Sequence, residues 1–356
     1  MTSKPKLETV AREAGVSLAT VSQVMRGKGR ISESTRKRVM EAANRLNYVP
    51  DGRAASMRSG VSKEIGMAIH DIANSFNAEV ISGVSAYLET EGYLVSVLDA
   101  QDDAQIQRRQ LEAFIGNSRG GLIWVPAKNT PYSSIELLQT QKIPTVSFLR
   151  AWPGDLFDHI GIKNAEAIGT AVEYLSSLGH RHIAYLGGEA DFGVRIERLE
   201  GFRRAMRQIG SAPALIWNSR DDKISGKTAM QALLATHPQV SAVVCNGDMT
   251  AIGALAACAE MNRRIGKDIS IIGFDGTQDA QIATPALTTL SINPSEMGRK
   301  LAQTLLNRIA NPDLPITASL VSADLIIRKS TGPVAVKRQP RAALLHRTRA
   351  LRCRHL

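Results

Sequence analysis

Apolar residues recur at helical spacing from the start of the chain. Leu7, Val10, Ala11 and Ala14 share one face, Gly15-Val16-Ser17 interrupts it, and Val21, Val24 and Met25 resume the same period. The spacing predicts two short helices joined by a tight turn, with Gly15 taking a positive φ and Ser17 capping the second helix. A third helix over 33–47 follows from Val39, Met40, Ala43 and Leu46, with Ser32 as its cap, and it closes a three-helix core. Pro50 ends that helix, and the stretch DGRAASMR beyond it is too short to be helical without a partner. From Lys63 the pattern changes to short β-rich runs alternating with amphipathic helices. Strands are predicted at 64–69, 93–98, 121–126 and 143–149, then at 182–188, 214–217, 241–246 and 269–274. Helices are predicted at 76–90, 165–178, 195–209 and 248–261, among others. Such alternation implies parallel sheets covered on both faces. The fold class is therefore α/β: a three-helix head, a connecting segment, and two doubly wound lobes of four strands each.

Composition narrows the function. No apolar run approaches the roughly 20 residues that span a bilayer, and the N-terminus lacks an apolar leader, so a cytoplasmic protein with no membrane partner is expected. Cys245, Cys258 and Cys353 form no ligand-spaced pair, which argues against a zinc site or a disulfide framework. Charge is placed unevenly. Residues 1–60 carry 12 basic and five acidic side chains, residues 331–356 carry seven basic and none acidic, and the long middle is left at −3 of the total of +11. A basic head on a mildly acidic body fits local neutralisation of phosphates. Together with the two-helix pattern it points to a helix-turn-helix whose second helix lies in a DNA major groove. A purely structural helical hairpin is the alternative. The basic tail from residue 331 is expected to be disordered.

The segment AREAGVSLATVSQVMRGKGRISESTRKRVMEAANRLNYVP resembles the N-terminal module of the LacI/GalR family of bacterial transcription repressors. LSSLGHRHIAYLGG and RLEGFRRAM extend the resemblance to about residue 329. It implies a homodimer, or a tetramer as the alternative, with lobes of the periplasmic-binding-protein type and a chain that crosses between the lobes three times. The implied boundaries are a helix-turn-helix domain at 1–50, a hinge at 51–62, an effector-binding and dimerisation domain at 63–330, and a tail at 331–356. The first lobe takes about 63–160 and 291–318, the second about 161–290 and 319–330. Base reading is implied for Leu18, Ala19 and Gln23, with Ser17, Thr20, Ser22 and Arg30 as neighbouring DNA contacts. Gln23 stands where the family often has arginine, and glutamine pairs with adenine where arginine pairs with guanine. In the hinge, Met57 stands at the family's minor-groove wedge, and Arg53 replaces a usual aliphatic residue.

The same resemblance implies an effector cleft at the C-terminal ends of the strands. HDIANSFNAE is similar to the family's PDISNPFFAE and brings Asp71, Asn74 and Phe76, with His70 in place of a proline. Arg198 in RLEGF and Asp275 in GFDG match residues that reach the effector from opposite sides. In CNGDMTAIGAL the family's order is shifted, which leaves Asn246 and Asp248 as alternative ligand contacts, and Asp248 also fits as a helix cap. Trp152 and Phe192, on loops, are candidates to stack on a sugar face, with ordinary packing as the alternative. Lys163 stands where the family often has aspartate and makes that wall more positive. VSQVMRGKGRIS and VSAVVCN are similar to the family's maltose-regulon repressor, which implies a carbohydrate effector. The expected function is a sequence-specific repressor controlled by a small molecule, with a corepressor-dependent repressor or an activator as alternatives. An enzyme would need a Gly-rich turn after the first strand, and HDIANS has none. No catalytic residue, cofactor or metal is expected, and a transport binding protein is opposed by the DNA-reading head.

Overall fold

In the computed structural model, which describes residues 4–50, 62–117, 120–152, 154, 156–189, 193–211 and 213–334, the head consists of three helices. These are α1 (Leu7–Ala14), α2 (Leu18–Met25) and α3 (Glu33–Arg45). Gly15 ends α1 in the left-handed region at φ 63°. Ser17 accepts from the Thr20 amide at 3.1 Å and Ser32 from the Thr35 amide at 3.3 Å, so both expected caps form. Val10, Val21 and Val39 are fully buried at the centre of this small core. Burial of each contributes ~1.5–3 kcal/mol, which a module of this size needs. The chain divides into two compact units, residues 1–63 and 64–356. Of the expected hinge at 51–62 and tail at 331–356, residues 51–61 and 335–356 lie outside the described residues. Residues 331–334, expected to be disordered, are instead tied to the second lobe, with the Val334 amide donating to the Leu178 carbonyl at 3.0 Å and the Gly332 amide to Ser270 Oγ at 3.1 Å.

The second unit begins with β1 (Glu64–Ile69), α4 (Ser75–Thr90), β2 (Leu94–Asp99), α5 (Ala104–Asn117), β3 (Gly121–Trp124), α6 (Tyr132–Thr140), β4 (Thr145–Phe148) and β5 (Asp158–Ile162). It then enters a second lobe with α7 (Asn164–Ser177), β6 (Ile183–Leu186), α8 (Gly193–Gln208), β7 (Leu215–Trp217), α9 (Lys223–Thr236), β8 (Ala242–Cys245), α10 (Asp248–Glu260), β9 (Ser270–Asp275), α11 (Gln278–Ile282) and β10 (Thr288–Ser291). It returns to the first with α12 (Pro294–Ala310) and β11 (Ala318–Val321), and β12 (Asp324–Ile326) rejoins the second.

The strand orders are β2-β1-β3-β4-β5-β11 and β7-β6-β8-β9-β10-β12. All pairs are parallel except β10 with β12. Each sheet thus has six strands rather than the four expected. The additional strands β5, β10, β11 and β12 are short and half polar (DHIGI, TTLS, ASLV, DLI), so no apolar run marks them. The first lobe's return reaches Val321, three residues past the expected boundary at 318. Central strands such as GLIW, IAYL and AVVC are buried along their whole length, as strands covered on both faces must be.

One buried ion pair fixes the return crossing. Arg308 of α12 donates from Nε and Nη2 to the two carboxylate oxygens of Asp158 at 2.7 and 3.1 Å, and Thr317 donates to Asp158 from its amide and hydroxyl at 2.8 Å. These contacts hold α12 and β11 against the start of β5. They also keep the Asp158 carboxyl below its ordinary pKa, although burial alone would raise it. In the second lobe, Ser330 plays a similar part for the chain beyond β12, donating to Ile271 O at 2.6 Å and accepting from the Thr288 amide at 2.8 Å.

Candidate functional site

In each sheet the strand order reverses beside the first strand of the lobe: β1 lies between β2 and β3, and β6 between β7 and β8. Loops leaving the strands on either side of such a point diverge and open a crevice at the C-terminal ends. The crevices of the two lobes face each other across one cleft of about 660 Å³, measured with its solvent-open mouth. His70 follows β1, Arg150 follows β4, Gly188 follows β6, Asp221 follows β7, Asn246 follows β8, and Asp275 ends β9; all line the cleft.

The second lobe supplies the densest polar set. Arg198 projects from the second turn of α8 and is 4% exposed. Its Nε donates to Asn164 Oδ1 at 2.8 Å, its Nη1 donates to the Asn246 carbonyl, and its guanidinium lies 3.7 Å from the centre of the Phe274 ring. The contact is a cation–π interaction that holds the planar group in one orientation. Asn246 accepts from the Tyr185 hydroxyl at 2.6 Å and donates to Asp221 Oδ2 at 2.6 Å. Asp221 Oδ1 accepts from the Gly188 amide and the Thr250 hydroxyl, both at 3.1 Å. Burial pushes the Asp221 carboxyl up, against the pull of Arg198. Asp275 sits at φ 115° and is 8% exposed. Burial and the neighbouring Asp248 carboxylate drive its pKa well above the ordinary value, which favours the neutral acid, a hydrogen-bond donor.

The first lobe closes the other side. Arg150 donates to Asp102 from Nη1 at 2.5 Å and from Nη2 at 3.2 Å, and to the Pro126 carbonyl at 2.8 Å. Burial beside this guanidinium lowers the His70 pKa to about 3, so the imidazole is neutral at physiological pH. Its Nδ1 is buried and has no hydrogen-bond partner among the described residues. Asn74 caps α4 through the Phe76 amide at 3.0 Å, and Phe76 packs its ring at the wall, 3% exposed. The lobes touch directly at both lips: Lys128 meets Glu189 at 3.1 Å, Ser75 donates to Asp279 at 2.8 Å, and the Gln278 amide donates to Glu79 at 2.8 Å.

Of the effector residues expected from sequence, Asn74, Phe76, Arg198, Asn246 and Asp275 meet at this cleft. Three others are placed elsewhere. Asp71 is not a lining residue, and its Oδ1 accepts from the Ala73 amide at 2.9 Å, shaping the loop. Trp152 packs against the first lobe's outer core with Trp124 and Phe157, the packing alternative. Asp248 lies behind the wall. It accepts from the Gly276 and Thr277 amides and from the Thr277 and Thr289 hydroxyls, so it ties β9 and β10 to α10. Gly247 rather than Asp248 stands at the N-cap of α10. Of the pair left open, Asn246 is the residue at the cleft. Lys163 is likewise off the wall, 3.7 Å from Glu166. Phe192, Arg53 and Met57 lie outside the described residues. Arg150, Arg195, Asp221 and Glu189 line the cleft and were not singled out from sequence. Arg150, Glu189 and Asp221 share a signal, a polar residue one to four positions past a predicted strand end, whereas Arg195 stands at the start of a predicted helix.

On the head, Ser17 and Thr20 share a side-chain hydrogen bond of 2.9 Å at the start of α2. Leu18 is 44% exposed there, an apolar side chain with no core to fill, and Ala19 and Gln23 are exposed on the same helix. Ser22 is half-buried and its carbonyl accepts from Arg26 Nε at 3.0 Å, while Arg30 is exposed in the turn before α3. The Gln23 side chain lies over Gly29, close enough that a β-carbon there would stand 2.9 Å from Gln23 Oε1.

Two doubly wound lobes that direct buried polar groups into one shared cleft define a periplasmic-binding-protein-like domain, and residues 172–331 match the family described by that name. Residues 6–51 match the family described as bacterial regulatory proteins, lacI family. The chain is 32% identical over 331 residues to the HTH-type transcriptional repressor PurR of Klebsiella pneumoniae (strain 342), covering 91% of this chain and 96% of that protein. The structure of the lac repressor dimer bound to operator and the anti-inducer ONPF superposes with a TM-score of 0.77 at 25% identity, over 92% of this chain and 99% of that chain. A complex of the transcriptional regulator CelR with cellobiose gives 0.68 at 27% identity and the same coverage. The chain belongs to the LacI family of bacterial regulatory proteins. Its relatives are transcriptional repressors, and members of the family are regulators rather than enzymes. No helix among the described residues is long and apolar enough to cross a membrane.

Proposed function

We propose that this protein is a homodimeric, sequence-specific transcriptional repressor that acts in the cytoplasm and whose operator affinity is set by a small molecule in the inter-lobe cleft. The observation that carries this reading is the pairing, in one chain, of a capped helix with an exposed apolar and polar N-terminal face and a cleft where Arg198, Asn246, Asp221 and Asp275 converge. The mechanism is linkage. A ligand that binds two arrangements of the lobes unequally shifts their populations, and through residues 51–62 it changes how the paired heads meet DNA. The effector is proposed to be a carbohydrate or a derivative of one. The cleft is rich in fixed donors and acceptors, and CelR, a relative in structure, is known with cellobiose bound.

At the DNA, Leu18 and Ala19 are proposed to read thymine methyl groups or groove shape, and Gln23 to read adenine. Ser17, Thr20, Ser22 and Arg30 support that helix, and Arg53 and Met57 engage the site centre. Paired heads require an approximately palindromic operator. Selection of bound duplexes from a random pool, at near-physiological salt, tests the reading. A palindrome with adenine facing Gln23 is the expected result. Salt-sensitive binding without a consensus would overturn sequence-specific repression, and a dominant guanine there would overturn the role of Gln23.

A further inference from the structure

Arg195 and Arg198 differ from the other buried guanidiniums of the body. Arg308 is paired with Asp158 and Arg150 with Asp102. Arg195 is 4% exposed, yet among the described residues it has no carboxylate within ion-pair distance; its Nε donates to the Gly187 carbonyl at 3.0 Å and its Nη2 to Asn218 Oδ1 at 2.5 Å. Arg198, equally buried, also rests on neutral acceptors. Each guanidinium carries five N–H donors, so both retain donors for a further partner.

Three features keep this corner of the cleft positive. Both arginines stand in the first two turns of α8, where the helix dipole already places positive partial charge. Asp221 answers one of the two guanidiniums, through the attraction between it and Arg198, and Asp275 is surrounded so as to favour its neutral acid, so two guanidiniums face one carboxylate. Buried charge in excess of its counter-charge costs several kcal/mol, so a cleft that holds two guanidiniums against one carboxylate is completed by a negative charge from the ligand.

The turn after β6 is built for the same purpose. Gly187 and Gly188 have φ of 105° and 73°, and a β-carbon on Gly188 would overlap the Arg195 side chain, which lies flat across it. In sequence, the Gly187-Gly188 pair is only a weak hint of a phosphate turn; here it seats the arginine.

We infer that the effector bears an anionic group, a carboxylate or a phosphate, that docks on Arg195 and Arg198 beside the Gly187-Gly188 turn. This rests on the cleft being the effector site. The unpartnered Nδ1 of neutral His70, on the opposite wall, is left to meet a hydroxyl of the same molecule.

Thermal unfolding of the full-length protein tests it, at constant pH and ionic strength, with about 20 mM sodium phosphate or sodium acetate replacing chloride. The wild-type body transition should rise by about 2 °C or more in at least one of them. Arg195→Gln, and independently Arg198→Gln, should abolish the rise; the contrast between phosphate and acetate reports which anion the site prefers. Any phosphate held by the basic head is common to all three proteins and cancels. Equal rises in wild type and both variants, or no rise in any, would overturn the inference. A rise with neutral D-glucose or cellobiose alone, unaffected by Arg195→Gln, would overturn the anionic group while leaving the cleft as the effector site.

Discussion

The two lobes share a strand order and place their buried charge at opposite ends of it. In the first, the most enclosed ion pair, Arg308 with Asp158, stands at the start of β5, away from the cleft, and joins chain segments that are 150 residues apart. In the second, Arg195 and Arg198 at the start of α8 and Asp221 and Asp275 at the strand ends line the cleft. The first lobe spends buried charge on holding its returning chain, and what it offers the cleft is a neutral imidazole, a phenyl ring, a capped loop and an arginine already neutralised by Asp102. The second holds charge at the cleft proposed for the ligand. On the proposed reading a ligand's charged group belongs to the second lobe, and the first acts as the wall that closes on it and offers His70 to a hydroxyl.

The largest effect should come from breaking the first lobe's pair. Arg308→Met leaves Asp158 buried without its partner and should cost about 3–5 kcal/mol in denaturant unfolding of the body. A loss below about 1 kcal/mol would mean that the pair does not hold the crossing.

Next comes pH, where the lobes should respond with opposite sign. Asp158 is depressed in the fold, so its contribution is present above the unfolded carboxylate pKa and is lost as pH falls through the folded value. Asp248 is pushed up to about 6 by burial, so the folded state binds more protons than the unfolded chain between its ordinary pKa of 3.8 and that value. Its effect is to lower stability as pH rises through this window, by about 3 kcal/mol in all. Asp221 and Asp275, also raised by burial, add to the slope with the same sign, so Asp248→Asn should reduce it and leave the acid limb intact; an unchanged slope from pH 4 to 6 would show that Asp248 does not contribute.

Smaller effects are expected at the lips. Ser75→Ala removes one hydrogen bond to a carboxylate across the cleft and should cost about 1.5 kcal/mol or less. Lys128→Ala breaks an inter-lobe pair whose side chains are 40% and 53% exposed, and should change stability by less than about 1 kcal/mol. If either proves larger than the Arg308 effect, closure rather than the crossing governs the body's stability.

How much of this was legible in sequence varies with how local the cause is. The head was readable because Gly15, Ser17 and Ser32 act on neighbours within three residues, and the valines repeat at one period. The central strands were readable as unbroken apolar runs. β5, β10, β11 and β12 were not, because they are edge-side or short, and their pairing depends on partners far along the chain. At the cleft, Arg198 and Asp275 were reached through resemblance, whereas Arg195 and Asp221 lie in stretches, GVRIERLEG and SRDDKISGK, where several charges compete and only the fold chooses which one turns inward. Asp248 shows the reverse. Its carboxylate looks like a ligand contact or a cap, yet Thr277 and Thr289, 29 and 41 residues away, claim it.

The most direct test of the whole account is the affinity of wild type and Arg198→Leu for the selected duplex, measured across a panel of sugars, sugar acids and sugar phosphates. At least one compound should shift the wild-type affinity by about fivefold or more, with no shift in the variant. Wild-type and variant affinities that move together with every compound would contradict control of DNA binding from this cleft.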